Sequence, residues 1–350
     1  MSTSPPSRVP FLRLALTLPV LVGALWLVFA RTDPSAVLQT WTGVDLPWLL
    51  ASLAVMTALI FLRLGRWALL VRAVADVPAP TVGRVGLIGY MAIDLLPLRS
   101  GEFVRPFLLQ RQGAVPFGAG MATCVVERVM DLVAVLALLL TTLAFADLPS
   151  MVVTIFDRPV DLAVQGRNAV LAAALVFGLP GVLLVLAGER GESTLRFLLR
   201  PLPAALGRAV LGLSIAYRDA TRAIGRPRLL LQTGLLTGLG WVLNAVVQWA
   251  LMEAFGLHGF GFFEVGFLSL VVAISLMLPS PAAGLGVFEA GTVAGLMIFS
   301  VEPSLAAGFA VALHAVHAGV ITVLGLLALA AEGLRFSDMW RRKAPDEITA

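Results

Sequence analysis

Between Asp94 and Arg105 an otherwise apolar chain reads Asp-Leu-Leu-Pro-Leu-Arg-Ser-Gly-Glu-Phe-Val-Arg, with charges at Asp94, Arg99, Glu102 and Arg105. Glu102 and Arg105 are three apart and therefore neighbours on one helical face. Glu127, Arg128 and Asp131 repeat the arrangement further on: Glu127 and Asp131 share a face, and Arg128 lies one turn from Asp131. Arg63 and Arg66 form a third such set. Together these are five arginines and four carboxylates in the first half of the chain. A net positive group of arginines held by carboxylates suits a phosphate, which guanidinium binds through two parallel hydrogen bonds. The Ser100-Gly101 break also starts a helix, whose free N–H groups attract anions. The expected phosphate-binding residues are Arg99, Glu102, Arg105, Glu127, Arg128 and Asp131. The competing reading is a lattice of ion pairs that only fastens helices, and for Arg63, Arg66 and Asp94 it weighs equally.

The second half is poorer in charge. Glu289 follows a Gly284-Leu-Gly286 break, and His314 and His317 stand three apart in a late apolar run. Two histidines and a glutamate are able to hold a metal or relay protons, but at this spacing hydrogen-bonded packing is the commoner role, and no metal site is expected. Asn244 and Gln248, one turn apart, read as interhelical hydrogen-bonding groups.

These residues need elements to hold them at depth. The chain has 350 residues, 59% of them hydrophobic and 13% charged, with a mean hydropathy of +0.94. Soluble domains carry about 25% charged residues, so the chain is expected to be an all-α, polytopic integral membrane protein. Apolar runs long enough to span about 30 Å of hydrocarbon fall near 11–30, 47–72, 115–146, 168–187, 228–255 and 304–331. Two further pieces, about 84–98 and 262–280, each end in a Pro/Gly break followed by another helix-like piece. If six runs cross and the two broken pieces re-enter, every basic residue except Arg31, Arg158 and Arg167 falls on the inner half. That is the asymmetry expected of cytoplasmic loops, and it supports six crossings, two hairpins and cytoplasmic termini; the expected location is a bacterial or archaeal-type plasma membrane. The arginine-rich connector 188–228 is expected to rest on anionic headgroups, and nucleic acid is not an expected partner.

The broken pieces resemble each other. Leu96-Pro97 leads to Gly101-Glu102, and Leu278-Pro279 leads to Gly284-Leu-Gly286 and Glu289. Each lies between two long runs, so one domain is expected, built of repeat halves at about 47–146 and 228–331. The topology sends the first hairpin in from the cytoplasm and the second from outside, an inverted repeat. Paired interrupted helices in opposite orientation point to a transporter site near the bilayer midplane. Pro97, Gly101, Pro279, Gly286 and Glu289 are its expected gating or coupling residues. P-loop, Gly-x-Ser-x-Gly, His-Glu-x-x-His and dinucleotide signatures are absent from the sequence, and no catalytic residue or cofactor is assigned.

The run Leu96-Pro97-x-Arg99-x-Gly101-Glu102-x-x-Arg105, then Val126-Glu127-Arg128-x-x-Asp131, resembles the signature of the lysylphosphatidylglycerol synthase transmembrane, or flippase-like, family. Leu278-Pro279 through Gly286-Val-Phe-Glu289-Ala extends the likeness, which runs from about residue 10 to 331. The resemblance implies a lipid-handling membrane unit, here expected to stand alone without the aminoacyl-transferase domain of the synthases. Its expected function is movement of an anionic lipid, of phospholipid or polyprenyl-phosphate type, between leaflets. Two alternatives stay open: a membrane-embedded lipid-modifying enzyme using Glu102, Glu127 or Asp131 as base, and a partner that delivers lipid to a separate glycosyl- or aminoacyl-transferase.

Overall fold

A computed structural model describes residues 22–23, 34–96, 101–145, 152–155, 158–161, 197, 200, 208, 211, 227–276 and 284–333. The expected span 168–187, all of 11–30 but residues 22–23, most of the connector 188–228, and Pro97, Arg99 and Pro279 lie outside the described residues. The described helices are α1 (Pro34–Gln39), α2 (Leu46–Val74), α3 (Ala79–Leu95), α4 (Val104–Arg111), α5 (Phe117–Phe145), α6 (Pro227–Ala254), α7 (Phe262–Ser275), α8 (Val287–Ile298) and α9 (Pro303–Ala331). A short antiparallel ribbon, β1 (Val152–Ile155) with β2 (Arg158–Asp161), sets Val152 opposite Asp161 and Ile155 opposite Arg158. It falls between the apolar runs expected at 115–146 and 168–187 and adds a little strand to a helical protein.

The long helices begin where the sequence supplies start signals. Asp45 caps α2 by accepting from the Trp48 N–H at 3.2 Å, and Glu302 caps α9 by accepting from the Leu305 N–H at 2.9 Å. A proline follows each cap within the first turn, where its missing N–H costs nothing. The α2, α6 and α9 helices are long and apolar enough to cross a membrane. At 1.5 Å per residue they exceed the roughly 30 Å of hydrocarbon. The α5 helix matches α2 and α9 at 29 residues but carries Glu127, Arg128 and Asp131. The chain is a polytopic membrane protein.

Its frame is an antiparallel seam between α2 and α6. The Asp45 N–H donates to Ala254 O at 2.9 Å and the Ser52 hydroxyl to Val247 O at 3.0 Å. Further along, Leu59 and Leu62 face Gly240. Trp48 and Trp249 meet edge to face at one end of this seam, partly exposed, as residues of an interfacial aromatic belt would be. Met56, Leu59 and Ile60 of α2 pack with Val247 and Leu251 of α6 and with Phe309 and Leu313 of α9 in the largest buried cluster. Burying each such side chain contributes about 1.5–3 kcal/mol against water. Against lipid tails that drive is absent and close packing replaces it.

Two helical hairpins hang on this frame. The first runs down α3 and back through α4, the second down α7 and back through α8. Gly101 sits at the return of the first, where a Cβ would lie 2.2 Å from the Ala92 carbonyl carbon and the Ile93 nitrogen, so only glycine lets the arms touch. Gly286 precedes α8 with φ of 83°, a left-handed conformation that side chains with a Cβ disfavour. The hairpins exchange partners. The first arm of one, α3, packs along α9, with Gly325 over Met91 and Arg84 paired to Glu332. The first arm of the other, α7, packs on α5, with Gly266 against Leu138 and Thr142. Each half thus leans on the last long helix of the other.

Candidate functional site

The charged residues of α2, α4 and α5 converge in one cluster, with Tyr90 of α3 beside it. At its centre Glu127 is fully enclosed: one carboxylate oxygen accepts from Arg105 Nη1 at 2.6 Å, the other from Arg66 Nη2 at 3.2 Å. Arg66 also donates from Nη1 to Asp131 Oδ1 and to the Thr237 hydroxyl of α6, both at 2.7 Å. An outer ring is looser. Arg128 reaches Asp131 at 3.4 Å and Glu102 at 3.7 Å, and Glu102 stands 3.8 Å from Arg105. The two i,i+3 pairings expected from spacing, Glu102 with Arg105 and Arg128 with Asp131, are both formed.

Arg105 shows how such a charge is held at depth. It is completely buried, with its guanidinium 4.9 Å from the ring centres of both Trp67 and Tyr90. A cation over aromatic faces gains roughly 0.5–2 kcal/mol, more when dry. The Trp67 indole N–H in turn donates to the Thr123 hydroxyl at 3.1 Å, and Thr123 donates to Gly120 O at 2.7 Å, locking the aromatic wall to α5.

Arg63 has a different standing. It forms no salt bridge or hydrogen bond with a described residue, yet lies in electrostatic reach of Asp131, Tyr90, Arg66 and Arg128. Several guanidinium nitrogens nearby also find no hydrogen-bond partner among the described residues: Arg66 Nε, Arg105 Nε and Nη2, and Arg128 Nε. The described cluster holds four arginines, at 63, 66, 105 and 128, against three carboxylates, at 102, 127 and 131. Buried N–H groups are rarely left without an acceptor. Surplus positive charge beside unmet donors is chemistry that an anion with several oxygens completes.

The second half carries a smaller polar site. The Glu289 carboxylate accepts from the Gly286 N–H at 2.7 Å and lies 2.6 Å from His314 Nδ1. Phe288 stacks on His314 at 4.7 Å between ring centres and leans on His317 at 5.8 Å. His317 contacts Leu313 O through Nδ1 at 3.1 Å and Asn244 Oδ1 through Nε2 at 3.2 Å. The two sites occupy matching positions. Arg128 and Asp131 are the twelfth and fifteenth residues of α5, and His314 and His317 the twelfth and fifteenth of α9. Arg63 is the eighteenth residue of α2 and Asn244 the eighteenth of α6.

The sequence pattern described as Lysylphosphatidylglycerol synthase TM region matches residues 11–325. The chain belongs to that family. It is accordingly a membrane protein related to lipid handling, and the family's span takes in both hairpins and both polar sites. A comparison with curated proteins gives no match. Of the residues expected from sequence, Glu102, Arg105, Glu127, Arg128 and Asp131 are brought together, and Gly101 holds the hairpin that carries Arg105. Glu289 and Gly286 meet in the second site. Sequence reasoning left Arg63 and Arg66 undecided and passed over Tyr90, Trp67 and Thr237. The signal for the arginines was present in their three-residue spacing; for the aromatic pair and the threonine, nothing local distinguishes them from packing residues.

Proposed function

We propose that this protein carries an anionic lipid between the leaflets of the plasma membrane, with the headgroup phosphate seated at the arginine cluster and the acyl chains left in lipid. The observation that carries this reading is the unmet guanidinium N–H set around an arginine surplus. A phosphodiester brings one negative charge and several acceptor oxygens, and so answers both. Arg63 and Arg128, the less committed arginines, face the phosphate, while Glu102 and Asp131 aim them. Arg66, Arg105 and Glu127 form the floor. Glu127 has no access for general-base work, being enclosed between two arginines, which leaves only Glu102 and Asp131 to the enzyme alternative.

The two halves act as an inverted repeat. In support stand the antiparallel packing of α2 on α6, the reciprocal leaning of α3 on α9 and α7 on α5, and the matched positions of the polar residues. The hairpins re-enter from opposite sides, and rocking of one half against the other exposes the site alternately. Gly101 and Gly286 fix the hairpin returns, with Pro97 and Pro279 at the breaks, and Glu289 closes the far gate. Both termini are cytoplasmic, and the protein works alone or hands lipid to a separate transferase.

Arg63→Gln tests the site. Because Arg63 forms no ion pair with a described residue, its loss should leave thermal stability within about 1 kcal/mol. Binding of short-chain phosphatidylglycerol should weaken at least tenfold, while phosphatidylcholine is unaffected. Unchanged phosphatidylglycerol affinity would place the phosphate elsewhere. Conversion of lipid to a new species by the purified protein alone would favour the enzyme.

Topology has its own test. In a Cys124→Ser background, single cysteines at Gln112, after α4, and at Ser300, after α8, should react with a membrane-impermeant thiol reagent from opposite sides. Reaction of both from one side ends the inverted-repeat reading.

A further inference from the structure

We infer that Glu332 is the inner gate of the protein: its carboxylate clasps the two feet of the first hairpin and must let go for a lipid headgroup to enter. This rests on the transport reading proposed above and adds to it the residue that controls entry.

The first hairpin enters at the start of α3 and leaves at the end of α4, so its mouth lies between those two ends. Glu332 reaches across it from α9. One carboxylate oxygen accepts from Arg84 Nε in the second turn of α3, and the other accepts at 3.5 Å from the amide of Gln112, the residue that caps α4. Gly333, with φ of 62°, turns the chain away directly after Glu332, which caps the C-terminus of α9. A carboxylate is poorly placed there for the helix itself, because that end of the macrodipole is already negative. Its stabilising partners are on the hairpin.

The second hairpin brings the same positions together with different chemistry. Arg84 is the sixth residue of α3 and Phe267 the sixth of α7, while Gln112 caps α4 and Phe299 caps α8. Phe267 and Phe299 meet edge to face with 5.9 Å between ring centres, and Phe260 meets Phe299 at 5.5 Å. Each mouth is thus closed between the second turn of its first arm and the cap of its second. At the far mouth apolar rings touch directly. At the inner mouth two polar ends are bridged by a third residue, and that bridge is ionic.

A gate has to open, and this contact is suited to parting. Arg84 is 40% exposed and Glu332 17%, and an ion pair within reach of water is weak and screened by salt. Arg105 and Glu127, fully enclosed, have no such freedom. A cavity of about 370 Å³ beside the clasp, lined by Thr81 and Ala114 as well as by Arg84, Gln112 and Glu332, gives the side chains room to swing. Release of one carboxylate frees both feet at once, while the close approach at Gly101 keeps the arms joined at the return.

The test uses the purified full chain with Cys124→Ser and a single Thr81→Cys beside the clasp, treated with a water-soluble thiol reagent. Glu332→Gln should raise the labelling rate about two- to fivefold, the shift in open population that loss of a part-exposed ion pair permits. Arg84→Gln should do the same. Raising salt to about 1 M should speed labelling with the clasp intact and leave both variants unchanged. The exchanged pair Arg84→Glu/Glu332→Arg keeps the net charge and should return the slow rate. Gln110→Cys, at a position already exposed, should react alike throughout. Apparent affinity scales with the open fraction, so binding of short-chain phosphatidylglycerol should tighten by the same factor in Glu332→Gln and revert in the exchanged pair. Unchanged labelling of Thr81→Cys in Glu332→Gln, or an equal rise at Gln110→Cys, overturns the clasp and leaves the lipid reading standing. Faster labelling without tighter binding overturns its role as the entry gate. If the wild type binds no phosphatidylglycerol, the lipid reading fails, and the labelling by itself still decides whether Glu332 holds the mouth shut.

Discussion

Glu127→Gln is expected to destabilise the protein by about 3–5 kcal/mol, the cost of leaving buried charges without their partner. Glutamine keeps the shape of glutamate and can accept from one arginine, but it cannot balance both Arg66 and Arg105. Arg66 retains Asp131 at 2.7 Å, while Arg105 is left with Glu102 at 3.8 Å. Such a loss is a large part of the stability of an ordinary domain, so the variant should unfold well below the wild type on heating in detergent. The double variant Glu127→Gln/Arg105→Gln should recover part of the loss, because the stranded cation is gone as well. If the losses of the two single variants simply add in the double variant, the pair is not coupled and the enclosed carboxylate is not the keystone of the cluster.

Gly101→Ala should be comparably severe, for a steric reason. The new methyl would meet the backbone of Ala92 and Ile93 at 2.2 Å, and backbone cannot swing aside as a long side chain does. The arms of the first hairpin would have to part, drawing Arg105 away from Glu127, at a cost of about 1–3 kcal/mol for the overpacking alone. Gly118→Ala is the control. It adds the same methyl early in α5 where nothing lies within 4 Å, and should be neutral or stabilise slightly, since alanine suits a helix interior better than glycine. Equal loss of stability in both variants would remove the close approach as the explanation.

Much of the frame is legible in the sequence because a membrane imposes it. Apolar runs at 47–72, 115–146, 228–255 and 304–331 become α2, α5, α6 and α9 within about two residues at each end, since hydrocarbon thickness sets their length. The two hairpins follow from Pro/Gly breaks, and the Glu102–Arg105 and Arg128–Asp131 pairs from helical spacing. What spacing does not carry is the division of labour among arginines. Arg105 reads as a phosphate ligand from its neighbours in sequence, yet its surroundings come from Trp67 and Tyr90 on other helices and from Glu127. Arg63 and Arg66 look alike as an i,i+3 pair, but only Arg66 turns toward Glu127, Asp131 and Thr237. The histidines were visible as a pair, and their Glu289 partner as a break residue; the 2.6 Å contact between Glu289 and His314 needed the fold to bring α8 onto α9.

The way the two halves lean on each other bears on how the chain is made. A ribosome delivers α3 long before α9, and the partners Arg84 and Glu332 are 248 residues apart. The first half must therefore wait in the bilayer with one flank of its hairpin bare. The charged cluster is spared that wait. Arg66 finds Asp131 across 65 residues and Arg105 finds Glu127 across 22, so every ion pair of the cluster among the described residues closes once α5 has emerged. Among the described hydrogen-bond partners of the cluster, Thr237 alone arrives later. The buried charges of the cluster are neutralised early, by neighbours made at nearly the same time, while the partly exposed Arg84 waits for Glu332 and the apolar flank beside it is covered by lipid meanwhile.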